Sequence, residues 1–286
     1  VIAHHLAEGI VDPVFADPWS YGGMDLLFAV YGYAVQIYCD FSGYSDMAIG
    51  TAALLGFRFQ RNFDQPYRAR SLREFWRRWH ISLSTWLRDY LYKPLGGNQR
   101  GRIRTFRNLM LTMFLGGLWH GAAWNFVLWG LFHGTGLIIE RIFRFFVRKE
   151  KKSEEIDFGG GVTGAAMKLG EAGPHLVAAL TGTLITFHLV CFSWILFRAR
   201  ELDAIRAYLE GLLRWSEPVQ LASPFMVGLV LLSLASQFLP RDLPERIALG
   251  LTRFGVLVTM AVFALALVVV KSVAPEGVAP FIYFQF

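Results

Sequence analysis

Two histidines stand out for the chemistry their surroundings would permit. His120 sits in Gly116-Gly117-Leu118-Trp119-His120-Gly121, within a stretch from Asn108 to Ile139 that holds no Asp, Glu, Lys or Arg. Imidazole is suited to proton transfer near neutral pH. An ionisable group at membrane depth is costly and usually faces an aqueous path or a protein interior. The glycines on both sides would let a substrate or a second helix come close. The competing reading is a neutral core histidine, hydrogen-bonded to a neighbour. His80 lies in a basic, Trp-rich segment, on the flank holding Arg73, Arg77 and Ser84 if that segment is one helix. Nearby arginines disfavour the imidazolium and leave a neutral ring able to accept a proton. The plainer alternative is an interfacial histidine that snorkels like its neighbours.

Other polar groups divide between possible lining and plain structure. Asp40, Ser42, Tyr44, Ser45 and Asp46 interrupt an apolar run within seven residues. They read as the polar lining of a cavity or as a helix break satisfied by its own side chains. Acidic pairs in membranes also suit cation binding, which keeps a transporter in play. His133 follows His120 by 13 residues, about 220° around a single helix, so the two would not share a face. His133 and His188 read as structural, and His4, His5 and His175 as solvated loop residues. There is no phosphate-binding loop, no His-Glu-x-x-His zinc helix and no Gly-x-Ser-x-Gly elbow. The paired Cys/His spacing of a zinc site is also missing, so no metal is expected. Gly96-Gly97-Asn98 reads as a turn. Cys39 and Cys191 lie in apolar stretches and say nothing about redox compartment.

These residues must be positioned by elements suited to a membrane. The 286-residue chain is 54% hydrophobic and only 17% charged, with mean hydropathy +0.39, against about 25% charged residues in soluble domains. Disorder and a disulfide scaffold are excluded. The net charge of +6 does not indicate a nucleic-acid partner, because the charges cluster between long uncharged runs. Five regions have the apolar length for spans: Leu26–Phe57, Asn108–Ile139, Leu176–Phe197, Val219–Leu239 and Phe254–Val270. Residues 58–107 hold 13 Lys and Arg against Asp64, Glu74 and Asp89, and read as a cytoplasmic, interfacial segment by the positive-inside tendency. Residues 1–25 hold no Lys or Arg and belong on the other side. If Asn108–Ile139 returns as a hairpin, 23 of the 28 basic residues fall inside; a single crossing leaves 18. A straight crossing of that length would also run about 48 Å, well beyond the hydrocarbon thickness. The hairpin or re-entrant reading is therefore preferred.

Within the basic segment, Ser71 and Glu74 fit a capping box. From there Leu72, Trp76, Trp79, Leu83, Trp86, Leu87 and Tyr90 recur at helical spacing, predicting one amphipathic interfacial helix. Packing of that helix against other spans is the alternative, and the two are compatible. Residues 149–175 mix charge and glycine and read as a flexible loop. The expectation is an all-α, polytopic transmembrane protein with re-entrant and interfacial helices, forming one membrane domain over residues 1–286. The chain opens on Val1, with no signal-peptide pattern, and reads as the C-terminal portion of a longer protein.

The long runs from Tyr38 to Gly97, LGGLWHGAAWNFVLWGLFHG at residues 115–134 and the ending PFIYFQF together closely resemble the membrane-bound O-acyltransferase family. Within it, the match is to the bacterial branch that contains the alginate O-acetyltransferase membrane component. The resemblance covers nearly the whole chain, although family members carry further N-terminal spans. It implies a multi-pass enzyme of the bacterial inner membrane, surrounded by lipid, that moves an acyl group from a cytoplasmic thioester to a hydroxyl. It implies no bound cofactor, with acetyl-CoA as the donor substrate. The family's invariant membrane histidine matches His120, and its second polar position, His or Asn, matches His80. In the polysaccharide branch the acetyl group passes across the membrane to a periplasmic or extracellular acetyltransferase partner, with a polysaccharide as final acceptor. His120 is then the expected base, with His80 positioning the thioester or sharing the proton. Trp119, Asn125, Tyr38, Asp40, Ser42, Tyr44 and Asp46 are expected to line the path, and Arg73, Arg77 and Arg88 to form the acyl-donor surface. The rivals are D-alanyl transfer to teichoic acid from a carrier protein, a transporter relaying protons or cations through His120, Asp40 and Asp46, and a purely structural membrane partner.

Overall fold

The computed structural model describes residues 1–154, 172–199 and 201–273. The chain is all-α, with no strand among the described residues. In order, the helices are α1 (Ile2–Leu6), α2 (Asp12–Ala16), α3 (Gly23–Leu54), α4 (Leu72–Arg78), α5 (Ile81–Trp86), α6 (Arg102–His120), α7 (Trp124–Glu154), α8 (Ala172–Arg198), α9 (Leu202–Gly211), α10 (Pro224–Ser236), α11 (Leu243–Arg253) and α12 (Val256–Val273). Trp124–Phe146, Leu176–Arg198 and Val256–Val273 are long and apolar enough to cross a membrane. The chain is thus a membrane protein by length and composition. It divides into two compact units, residues 1–47 with 206–286 and residues 48–205.

In the first unit, α1 and α2 pack on the start of α3, where Gly32 lets Val11 and Ile10 approach closely. Asp25, fully buried, accepts hydrogen bonds from the backbone N–H groups of Gln220, Leu221 and Ala222 at 2.7–2.9 Å. The buried Tyr208 hydroxyl donates to Leu26 O at 2.6 Å. Long-range polar ties thus hold the loop before α10 and the helix α9 to α3. The apolar run Val219–Leu239 yields only the 13-residue α10, about 20 Å long and short of a bilayer core. Ser223 caps it and Pro224 takes its first position, so the helix starts later than the apolar run.

The second unit is built around a helical hairpin. Helices α6 and α7 run antiparallel, joined by Gly121-Ala122-Ala123, and the reversal falls inside the uncharged stretch Asn108–Ile139. That is the hairpin favoured by the charge distribution. Glycines set its closeness. A Cβ on Gly117 would strike Phe126 O, one on Gly130 would lie 2.5 Å from Met113 O, and one on Gly134 would lie 2.8 Å from the Met110 sulfur. The glycines flanking His120 therefore serve helix–helix approach. At the far end the Arg102 guanidinium sits 3.7 Å over the Phe145 ring.

Helix α4 docks on this unit through aromatic rings. Trp79 packs on Trp194 of α8 at 5.1 Å between centroids, and Trp76 on Trp129 of α7 at 5.6 Å. Such pairs add about 0.5–1.5 kcal/mol each beyond their burial. The capping box forms in part. Glu74 N donates to Ser71 Oγ at 3.2 Å, but the Glu74 carboxylate accepts from Arg70 N–H and pairs with Arg78 instead of returning to Ser71. Burial raises the pKa of Glu74, yet those hydrogen bonds and the charges of Arg78 and Arg70 hold it below its ordinary value.

Several expectations are corrected. The run from Leu72 to Tyr90 is not one helix. It breaks at Trp79–His80, where His80 takes φ +42° and ψ +59°, and it widens into a π-helical turn over Leu87–Tyr92. The two readings of this segment separate along it: Leu72, Phe75 and Trp79 are buried, whereas Trp86 and Tyr90 are exposed. The polar residues Asp40 to Asp46 do not break α3, which is continuous through them. Residues 149–154 and 172–175, expected in a loop, belong to α7 and α8, while 155–171 lie outside the described residues. His4 and His5 lie in α1 and His175 in α8, not in loops. The ending PFIYFQF also lies outside the described residues.

Candidate active site

His120 is the last residue of α6; the backbone leaves the helical conformation at Gly121, where a Cβ would lie 2.7 Å from the Phe126 ring. Four aromatic rings surround the imidazole: Phe197 at 4.9 Å, Trp119 at 5.0 Å, Trp129 at 5.3 Å and Phe126 at 6.1 Å between centroids. They come from α6, α7 and the end of α8, so only the folded hairpin assembles the shell. Asn125, buried near the start of α7, donates from Nδ2 to Phe197 O at 3.2 Å. It satisfies one of the terminal carbonyls of α8 and ties that helix end to the hairpin turn.

His80 enters the same neighbourhood from the basic segment. Its ring lies 6.5 Å from that of Trp119, and it is close enough to His120 for the two imidazoles to interact electrostatically. The left-handed backbone at His80 is uncommon for a residue with a side chain, and it is held by its surroundings. Asn62 does the holding: its carbonyl accepts Ile81 N–H at 2.9 Å, and its side-chain Oδ1 accepts Ser82 N–H at 3.2 Å. Burial pushes the His80 pKa down to about 4. The ring is therefore neutral, as expected, but through desolvation and not through the flanking arginines.

His133 completes a chain of rings. It is fully buried, its Nδ1 accepts from Trp76 Nε1–H at 3.3 Å, and its ring lies 4.8 Å from Trp129, which also touches His120. The wheel that separated His120 from His133 assumed one helix. They sit on two helices with Trp129 between them. His188 donates from Nδ1 to Leu184 O in its own helix turn, 2.8 Å away.

The same unit holds a cavity of about 670 Å³ whose walls include Arg73, Arg77, Arg88, Lys93, Arg141 and Arg144; Asp89 pairs with Arg88 and Lys93, and Glu140 with Arg144. Trp76 lines it as well, so a single indole separates the basic cavity from the Trp129–His133 pair. Burial, then the charges of Arg77 and Arg144, lower the Arg73 pKa. Glu140 partly offsets those charges. Gly96 and Gly97 form the expected turn at positive φ and line this cavity. Buried Asn108 holds the turn by donating to Leu95 O and Gly97 O at 3.1 and 3.0 Å.

All three arginines singled out from the sequence thus line one cavity, and His80, His120, Trp119 and Asn125 share one unit. Trp119 is 58% exposed beside His120. Tyr38, Asp40, Ser42, Tyr44 and Asp46 belong to the other unit, where Tyr38 hydrogen-bonds with the side chains of Gln237 and Ser42. Sequence reasoning missed Asn62, Trp129, Arg141 and Arg144. The basic pair on α7 had been counted for topology only; its i,i+3 spacing on a helix was the available signal.

The fold and this histidine-centred cluster define an all-α membrane protein with a buried polar site. Residues 12–157 match the membrane-bound O-acyltransferase family (MBOAT), and the chain belongs to that family. It is 47% identical over 202 residues to a probable alginate O-acetylase of Azotobacter vinelandii, covering 71% of this chain and 34% of that protein. It is 39% identical over 180 residues to a peptidoglycan O-acetyltransferase of Helicobacter pylori, covering 63% and 30%. It is 31% identical over 207 residues to a teichoic acid D-alanyltransferase of Streptococcus thermophilus, covering 69% and 48%. The chain spans about a third to a half of the length of these relatives.

Proposed function

We propose that the full-length protein is a multi-pass O-acyltransferase of the bacterial inner membrane. It takes an acetyl group from acetyl-CoA on the cytoplasmic side and delivers it for O-acetylation of an exported polysaccharide such as alginate. The observation that carries this reading is that Trp119 lies against both His120 and His80 at the turn of the α6–α7 hairpin, with Phe197 closing on His120. The predominantly basic cavity of the same unit suits the phosphates of coenzyme A. The relatives named for O-acetyl transfer to alginate and peptidoglycan support the acetyl group and the polysaccharide.

A thioester is already activated, so little is asked of the protein beyond proton handling, positioning and exclusion of water. His120 takes the proton of the acceptor hydroxyl as its oxygen bonds to the carbonyl carbon. The carbon–sulfur bond then breaks, and the same proton passes to the departing thiolate, leaving ester, free thiol and neutral histidine. His80, neutral, holds the thioester or shares that proton. The aromatic shell keeps bulk water from hydrolysing the donor. A periplasmic or extracellular acetyltransferase receives the acetyl group and completes transfer to the polymer.

The test is the O-acetyl content of secreted polysaccharide from cells making the full-length protein, wild type against His120→Ala at equal membrane levels. Loss of acetyl esters with normal polymer yield is expected. Unchanged acetylation removes His120 as the base, and loss of the polymer itself favours a transporter. Transfer of D-alanine from a carrier protein, the activity named for the S. thermophilus relative, is separated by supplying purified protein with acetyl-CoA alone.

A further inference from the structure

The arrangement around His80 determines more than its position. Asn62 lies 18 residues upstream, yet three donors converge on its Oδ1: Ser82 N–H at 3.2 Å, Ser82 Oγ at 2.9 Å and His80 Nδ1 at 3.2 Å. A backbone N–H can only donate, so the Asn62 atom facing Ser82 N is the oxygen and not the amide nitrogen. A side-chain amide oxygen can only accept, so His80 Nδ1 facing it must carry a hydrogen. In a neutral imidazole that leaves the lone pair on Nε2.

We propose that Asn62 is a positioning residue that fixes His80 as the Nδ1–H tautomer, so that Nε2 presents its lone pair in the His80–His120 site. His80 is then an acceptor of a proton or hydrogen bond, not a donor. The alternative assignment is concrete. Ser82 Oγ also lies 3.2 Å from His80 Nδ1, and if that hydroxyl donated to Nδ1 the ring would be the Nε2–H tautomer. Geometry disfavours it, because Nδ1 would then set a lone pair against the Asn62 oxygen. Two further features bear on His80. Its main-chain carbonyl accepts Ile81 N–H at 2.9 Å, bracketing the left-handed His80 backbone between contacts at 80, 81 and 82. Burial also keeps the ring neutral, so the tautomer is what decides its chemistry.

The functional part of this inference rests on the acyl-transfer reading; the tautomer does not. The experiment uses full-length protein in lipid nanodiscs with 15N-labelled histidine, the His80 ring signals being identified by their absence in His80→Gln. Wild type should show protonated Nδ1 and unprotonated Nε2. Ser82→Ala should keep that pattern, and Asn62→Ala should lose it. In acyl-transfer assays Asn62→Ala should lower kcat by roughly 10²–10⁴-fold, the scale of a misassigned catalytic histidine, with the donor KM within about threefold of wild type. Asn62→Asp keeps an acceptor facing Nδ1 but adds negative charge. It should retain the tautomer, recover most of kcat at high pH and move the acidic limb of the rate profile upward. An Nε2–H tautomer in wild type, a switch on Ser82→Ala, or an unchanged tautomer in Asn62→Ala would overturn the proposal. If the tautomer behaves as expected while His120→Ala still acetylates polymer, the acyl-transfer reading fails and the tautomer assignment stands.

Discussion

At the residue scale, His80 combines an unusual backbone, a buried ring and a fixed hydrogen-bond partner. Its folded pKa near 4 lies below the ordinary value of 6.5. As pH falls through about 6.5 the unfolded chain takes up a proton there that the folded protein refuses. His80 therefore costs stability progressively between pH 6.5 and about 4, and is without effect above. Thermal unfolding of the full-length protein in detergent should fall across that window, and His80→Gln should flatten the fall. An identical slope in the variant would show that the ring is not desolvated. The sequence made a neutral His80 legible but credited the wrong cause, because helical spacing shows neighbouring charges and not burial. It could not show Asn62 at all. A partner 18 residues away, in the irregular stretch that precedes α4 and outside that helix's repeat, leaves no periodic trace.

At the element scale, the α6–α7 hairpin does the assembling. Its two helices touch through glycines, and the tolerance is narrow: a Cβ on Gly130 would lie 2.5 Å from Met113 O and 3.1 Å from Phe114 Cα, both backbone atoms of the facing helix. Neither can yield without separating the helices. Gly130→Ala should destabilise the protein by about 1–3 kcal/mol, the usual scale of overpacking. Because Trp129 precedes it and contacts His120 and His133, activity should fall with stability. Gly43→Ala in α3, where a Cβ meets nothing within 4 Å, should leave thermal stability unchanged or slightly raised. Equal effects at both positions would deny close packing its role. The reversal near Gly121 was legible from charge counting and length, since a 32-residue uncharged stretch is too long for one crossing. The break of the interfacial segment at His80 was not, because a left-handed residue is a local exception that hydrophobic periodicity continues straight through.

At the scale of the molecule, the distribution of charge matters more than its total. Thirteen basic residues fall within residues 58–107, but the cavity also needs Arg141 and Arg144 from the returning arm of the hairpin. Six cationic side chains line one cavity, three of them paired with Asp89 or Glu140, and the net positive field that remains shrinks in reach as salt rises. In the full-length protein, KM for acetyl-CoA should increase with ionic strength while kcat changes little. The double variant Arg77→Gln with Arg144→Gln should raise KM about tenfold, equivalent to about 1.4 kcal/mol, and weaken the salt dependence. A KM indifferent to both salt and these charges would exclude the cavity as the donor's phosphate site.

What the sequence by itself determined is the solvent and the candidates: an all-α membrane chain, a basic segment over residues 58–107, and two histidines whose setting marks them out. These follow from composition and from short-range pattern, because the bilayer imposes length and polarity residue by residue. Tertiary structure alone decided which rings enclose His120, that His133 reaches the same tryptophan from another helix, that Arg141 and Arg144 join Arg73 and Arg77, and that Asn62 dictates where the proton on His80 sits. Each is a contact between residues distant in the chain. Such contacts depend on how closely glycine-lined helices pack and where the backbone turns, and no local spacing encodes them.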